Sequence, residues 1–419
     1  MTKAVWPLLF LPLAACGSCG SCAKDKDDPA PVASASAGAS AAGSASLSAE
    51  IIPRCRADGP RLTIDGEDVL VGDAAISGDT MLVGLVRRKG TTRMGAVLRT
   101  TLDLAKTSVI DVAPVHGDGA APVPSFRDGK AWVSFNVRKE FEAGTTRGMR
   151  DLRIAPLEES GVGAPVATIT QQADESTLFD LAWPLVAWDE DALVPEGKFI
   201  PERGVVKVQA LPDGKAHVVS PEGTDAESPK LARKKGGGFW LAWLARKQEV
   251  EDAGYRLEGA GELRAWHWVE IVALDANGDP TGQVKRVSPD KGHAVSFDLL
   301  AGDGDPVLVV QDEGASSEGA GARVVRYSIA DDKLASSEIV DGGIGHALAE
   351  VIATEDAGWL AWKDTSDRSW IAPASPSVVL AGPPSAESAF DGARVLAGVG
   401  STSIYVTSGS ELRRFNCRK

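Results

Sequence analysis

From Ile51 onward the chain alternates short runs of Val, Leu, Ile and Trp with clusters of Gly, Asp and Pro, and almost no long segment has a 3.6-residue period. That pattern predicts strands joined by turns. One strand type recurs: a glycine-rich turn leads into an apolar run with a small residue between large ones, as in Gly237–Trp243 and Ala357–Trp362. Its relatives align on the middle residue at Gly84, Ser134, Ala187, Ala242, Val309, Ala361 and Val406, at spacings of 50, 53, 55, 67, 52 and 45. The longest spacing holds the largest insertion, Arg246 to Glu262. A second strand follows each run, and a short outer strand comes next, for example after Lys215 and after Gly282. Leu274–Pro280 reads as a plain turn between two such strands.

Seven copies at about fifty residues, each with room for four strands, predict an all-β chain folded as a seven-bladed β-propeller. Six or eight blades, or paired β-sandwiches, are the alternatives. In a propeller each sheet buries both faces, so the strands read as near-continuous apolar runs, with small residues where sheets converge. Seven blades need the last sheet completed by the N-terminal segment, around Arg61 to Val71. Cys55 lies just before that segment and Cys417 ends the final strand. Export to an oxidising compartment then predicts a Cys55–Cys417 disulfide closing the ring, against the alternative of two free thiols. Across so long a loop the chain-entropy model expects about 5 kcal/mol at most. The layout of residues 55 to 417 resembles the divergent β-propellers of lipoproteins. It does not match WD40 repeats, since Trp188-Asp189 is an isolated pair. Kelch glycines occur once in register, at Gly236–Gly238, and the Asp128 of Ser125–Gly129 sits one place late for a sialidase Asp box.

The first fifty residues differ in kind. Lys3 precedes an apolar stretch, Ala4 to Ala15, too short for a hydrocarbon core of roughly 30 Å. Small residues then lead to Leu13-Ala14-Ala15-Cys16, which resembles the lipobox of bacterial lipoproteins. The resemblance implies removal of a signal peptide, residues 1–15, and diacylglycerol on the Cys16 sulfur, holding the chain to a membrane. Gly17, where inner-membrane retention would have aspartate, implies the outer membrane. Cys19 and Cys22 continue a C-x-x-C pattern between glycines and serines and read as a local disulfide or an incidental pair. Residues 16–50, rich in Ala, Ser and Gly, predict a flexible tether. From Gly17 to Glu50 it is 34 residues long, with a reach on the order of 30 Å. Residues 51–419 are the propeller.

Motif chemistry is sparse. There is no G-x-S-x-G elbow, no H-E-x-x-H, no P-loop and no dinucleotide fingerprint. Of five histidines, His116, His293 and His346 each follow a glycine-rich approach to a blade, the last two 53 residues apart. They are the candidate catalytic residues, as a ring of imidazoles that binds a metal or acts as base. The other reading of them is a repeated hydrogen bond to a loop carbonyl. Trp266, Trp268 and Glu270 share one face of a strand, either as a carbohydrate platform or as sheet packing. Asp275, Asn277 and Asp279 resemble a calcium loop, but an EF-hand needs an acid where Arg286 stands. No metal or other cofactor is expected. Ala273–Gly282 shares an aspartate and a Thr-Gly with quinoprotein repeats but lacks their tryptophan. A net charge of −14 disfavours nucleic acid as a partner. Two functions follow. The first is a monomeric, membrane-anchored, non-catalytic binding or scaffold module for an envelope protein, peptide or glycan. Its layout resembles the propeller lipoprotein of the outer-membrane barrel-assembly machinery. The alternative is a propeller hydrolase or lyase with a histidine-lined channel.

Overall fold

All seven aligned apolar runs are strands, and each sits second in its own antiparallel sheet. The structure, a computed structural model, describes residues 54–418 apart from 116–118, 139–149, 172–177, 192–203, 235, 248–266, 290–293, 302–304, 313–322, 331–332, 341–349, 354–357, 364–368, 374–393 and 400–402; residues 1–53 and 419 also lie outside the description. Among the described residues there are 28 strands in seven sheets and no helix.

The N-terminal strand is β1 (Arg54–Thr63). The first sheet is β2 (Glu67–Ser77), β3 (Thr80–Lys89), β4 (Thr92–Thr101) and β5 (Thr107–Pro114). The second has β6 (Val123–Arg127), β7 (Lys130–Arg138), β8 (Arg150–Glu158) and β10 (Ala167–Gln171), with the short β9 (Gly161–Val162) paired to β8. The third is β11 (Phe179–Ala182), β12 (Leu185–Asp191), β13 (Gly204–Ala210) and β14 (His217–Val218). The fourth is β15 (Thr224–Arg233), β16 (Phe239–Lys247), β17 (His267–Leu274) and β18 (Lys285–Arg286). The fifth is β19 (Ala294–Ala301), β20 (Pro306–Asp312), β21 (Arg323–Ala330) and β22 (Lys333–Val340). The sixth shows β23 (Glu350–Ala353), β24 (Gly358–Lys363) and β25 (Ser369–Pro373). The seventh joins β26 (Arg394–Val399), β27 (Ser403–Ser408) and β28 (Glu411–Arg418) to β1. The N-terminal segment thus completes the last sheet, but its strand starts at Arg54 and overlaps the expected Arg61 to Val71 only at residues 61–63. Asp65 and Gly66, the latter at φ 140°, break the chain there, and β2 starts a new sheet.

Each apolar run packs two ways, because successive side chains on a strand point to opposite faces. Leu241, Trp243 and Ala245 of β16 share a core with Leu185, Val206 and Val208 of the third sheet. Ala242 and Leu244 of the same strand share a second core with Phe297, Leu308 and Val310 of the fifth. The first sheet packs likewise against the seventh through Met81, Leu85, Tyr405 and Leu412, and against the second through Leu82, Val97, Val133 and Phe135. Leu152 and Ile154 of the second sheet meet Val186 and Trp188 of the third. Full burial of each such side chain stabilises by about 1.5–3 kcal/mol.

The outer strands repeat a local device. Val219-Ser220-Pro221 and Val287-Ser288-Pro289 run past β13 and β17. In each, the serine Oγ accepts a backbone N–H, from Val206 and Val269 at 3.0 and 2.9 Å. Proline has no N–H with which to continue a ladder, so the hydroxyl satisfies the last buried donor.

Sequence reasoning missed the strand that precedes each run. These first strands run from four residues in β11 to eleven in β2, and they lie against one another: β2 against both β6 and β26, β11 against β15, β15 against β19, β19 against β23, and β23 against β26. At Gly84 of β3 an added Cβ would lie 1.9 Å from the carbonyl oxygen of Pro122, the residue before β6. Gly84→Ala should therefore cost about 1–3 kcal/mol or more through forced backbone movement. The check is chemical denaturation, with a lowered midpoint and an unchanged slope.

Candidate active site

The small residue at the centre of each run selects what stands opposite it on the first strand. Asp180 pairs with Ala187, Lys230 with Ala242, Asp298 with Val309 and Glu350 with Ala361. Asp73 sits in the β2 bulge beside Gly84. Val123 and Val395 take the remaining two positions. Ionisable residues thus recur at one level of the first strands, a regularity invisible without the pairing register.

The richest part of this level is where β15 meets the third sheet. β15 carries a bulge between Glu227 and Lys230, with Ser228 in the left-handed region at φ 56°. The Ser228 N–H donates to Asp189 Oδ2 at 2.8 Å. Asp225 and Glu227, two residues apart, lie on one side of β15. Asp225 is buried, ion-paired to Arg246, and accepts the Gly204 N–H. A Cβ on Gly204 would lie 2.6 Å from the Ala226 carbonyl oxygen, so only glycine lets that N–H reach the carboxylate.

Glu227 is half-buried. Burial pushes its carboxyl above the usual range; Arg246 pulls it down and the Asp225 charge pushes it up again. No hydrogen bond contributes to that shift. Asp180 differs. Burial raises its carboxyl too, against the pull of Lys230 and with a further push from Asp73. Its oxygens, however, accept the N–H groups of Leu181 and Leu231 at 2.8 and 2.7 Å, which ties β11 to β15. Asp180, Asp189 and Asp225 thus hold backbone, whereas Glu227 is a carboxyl with a raised proton affinity beside a strained turn. Desolvation and a like charge are what prepare a carboxylic acid to transfer a proton near neutral pH.

The sequence candidates fall as follows. Cys16, Cys19, Cys22, His116, His293, His346 and Trp266 lie outside the described residues. Trp268 is 3% exposed and its indole N–H donates to Glu270 at 2.9 Å. Trp243 donates to the other oxygen of Glu270 at 3.1 Å, so Trp268 belongs to the packing between sheets. Asp275 accepts the N–H groups of Asn277 and Asp279 and closes its own turn. His217 bonds the Gly278 carbonyl oxygen at 3.0 Å. Among the described residues no group of three or more His, Cys, Asp or Glu is placed to hold a metal. Cys55 and Cys417 are register partners on β1 and β28. Glu227 was missed because Thr224–Pro229 reads as a polar loop; the signal available was the alternation of Asp225 and Glu227.

A carboxyl raised in the folded state stabilises fully below its unfolded value and loses that contribution as pH rises through the folded value. For Asp180 and Glu227 the window opens above the ordinary values of 3.8 and 4.5. Stability should therefore fall, as pH rises above about 4, more steeply in the natural protein than in the Asp180→Asn, Glu227→Gln variant. Denaturant midpoints across that range measure the difference; parallel curves would exclude it.

No protein-family model and no curated protein matches the chain. Solved structures do align with it. An ulvan lyase, described as a new family of polysaccharide lyase, covers 85% of this chain and 96% of its own at 9% identity and TM-score 0.49. An α-L-arabinofuranosidase from Fusarium graminearum covers 74% and 93% at 8% identity and TM-score 0.42. Another, from Lactobacillus brevis, covers 74% and 92% at 12% identity and TM-score 0.33. By name these structures are a lyase and two glycosidases, which runs against the expectation of a non-catalytic binding or scaffold module.

Proposed function

We propose that the seven sheets close into a seven-bladed propeller and that the ring is a glycan-processing enzyme, a hydrolase or lyase, in which Glu227 transfers the proton. The observation that carries the reading is Glu227 itself: a half-buried carboxyl raised by burial and by Asp225, next to the left-handed Ser228 on a first strand. The contacts of β2 with both β6 and β26 support closure. In hydrolysis, protonated Glu227 hands its proton to the leaving glycosidic oxygen while water adds at the anomeric carbon; in elimination, ionised Glu227 takes the proton from the carbon beside a uronate carboxyl, a C=C bond forms there and the glycosidic oxygen leaves and is protonated from solvent. Arg246 and Asp225 set the balance between the two states. A glycan is the first substrate to test, being the class named in the polysaccharide lyase and arabinofuranosidase structures. The three histidines of the sequence reading keep no assigned step.

The same proposal includes the lipid on Cys16, the tether to Glu50, an outer-membrane location and the Cys55–Cys417 disulfide. Direct register partners on antiparallel strands have Cα atoms about 4.5–5.5 Å apart, inside the usual disulfide span of about 4.4–6.8 Å. The pairing of the two positions supports the bond. Intact mass of unreduced, alkylated protein should show neither of these cysteines modified; alkylation at both removes the disulfide.

Activity is tested by incubating the purified protein with arabinan, xylan and uronate polysaccharides. New reducing ends mark hydrolysis, and absorbance of an unsaturated uronate marks elimination. Glu227→Gln should lower kcat by about 100-fold or more with folding retained. Unchanged turnover in that variant, or no product from any polymer, would count against the reading.

A further inference from the structure

A second site lies away from Glu227, on the sheet that joins the two ends of the chain. β28 runs between β1 and β27, and Arg413 has Arg61 as its partner on one side and Val406 on the other. Like charges directly opposite on antiparallel strands destabilise the pair. Glu411, two residues along β28, answers one of them: Arg61 Nη1 lies 2.7 Å from its Oε1. The second guanidinium is treated differently. Arg413 Nε is buried without a hydrogen-bond partner, an arrangement that costs free energy unless something completes it. Both arginines line a cavity of about 240 Å³, together with Glu411, Thr407, Ser408 and Phe415.

The chemistry of this lining is specific. Two guanidinium groups against one carboxylate leave one positive charge over. A planar arginine fork matches a carboxylate in a two-point hydrogen bond. Ser408 brings a hydroxyl on the arginine face, while Thr407 and Phe415, 4% and 1% exposed, are buried behind the lining. The volume is below the range of drug-sized sites, roughly 300–1,000 Å³, and suits one small molecule. We propose that this cavity binds a hydroxy acid of at most monosaccharide size, its carboxylate on Arg413 and a hydroxyl toward Ser408. The proposal stands apart from the assignment of Glu227.

Titration calorimetry on the purified full chain tests it with D-glucuronate, D-glucose and sodium sulfate. D-Glucuronate should bind at least tenfold more tightly than D-glucose, which has the same size without the charge, and more tightly than sulfate. Arg413→Met should weaken glucuronate at least tenfold, and Arg413→Lys, which keeps the charge but loses the fork, should weaken it less. Glu227→Gln should leave the affinity unchanged, which separates this result from any loss of activity. Should Arg413→Met fail to fold, Arg413→Lys and Arg61→Met carry the comparison. Equal binding of glucose, equal binding of sulfate, or natural affinity in every folded arginine variant overturns the proposal.

Discussion

A sheet that is apolar on both faces must be covered on both, and every other feature of this body follows from that requirement. Trp243 faces one neighbouring sheet while Ala242 and Leu244 face the other, so a single strand belongs to two cores. Among the described residues every core is shared between two sheets. Removal of one would expose the apolar faces of both neighbours, which makes stability a sum over sheet–sheet contacts. Size alternation within the runs is part of the same constraint. Where sheets approach most closely the residue shrinks, and at Gly84 it vanishes altogether, because the Pro122 carbonyl occupies the space of a Cβ.

With the faces committed to burial, polar chemistry is displaced to strand edges. Trp-rich interiors still admit carboxylates, but on strict terms. Glu190 accepts the Trp188 indole and the Lys207 ammonium, and Glu270 accepts two indoles. Asp180, Asp189 and Asp225 accept backbone N–H groups across the seam between the third and fourth sheets. Each buried charge is matched by a fixed donor, as a low-dielectric interior requires. Glu227 shares the seam, and burial and the Asp225 charge raise its proton affinity with no hydrogen bond among the causes.

Much of this architecture was legible in the sequence because burial on two faces writes itself as continuous apolar runs. Phe239–Trp243 and Gly358–Trp362 gave the second strands and their period directly. The first strands were not legible. Phe179–Ala182 is four residues long, and Thr224–Arg233 contains Glu227-Ser228-Pro229, which by composition reads as a turn. Their strand character comes from pairing with the apolar run, a non-local cause that no local pattern carries. The same holds for the ionisable level: Asp180, Lys230 and Asp298 are scattered in sequence and coincide only through register. Glycine-rich motifs drew attention to His293 and His346, whereas the shifted carboxyl lay in a segment with no motif.

The marriage of β1 to β28 has a bearing on how the polypeptide comes into being. The Arg61–Glu411 contact spans 350 positions of sequence. During synthesis the last-made strand has its partner waiting from the outset, while β1 has nothing to pair with until the end. Six sheets can assemble from neighbouring segments as they emerge, but the seventh needs both extremities of the chain at once. Its formation is the step with the greatest loop-closure entropy, and until it occurs β28 presents an unpaired edge to its surroundings. A newly made molecule is therefore most open to edge pairing with another chain in the interval before its two ends meet.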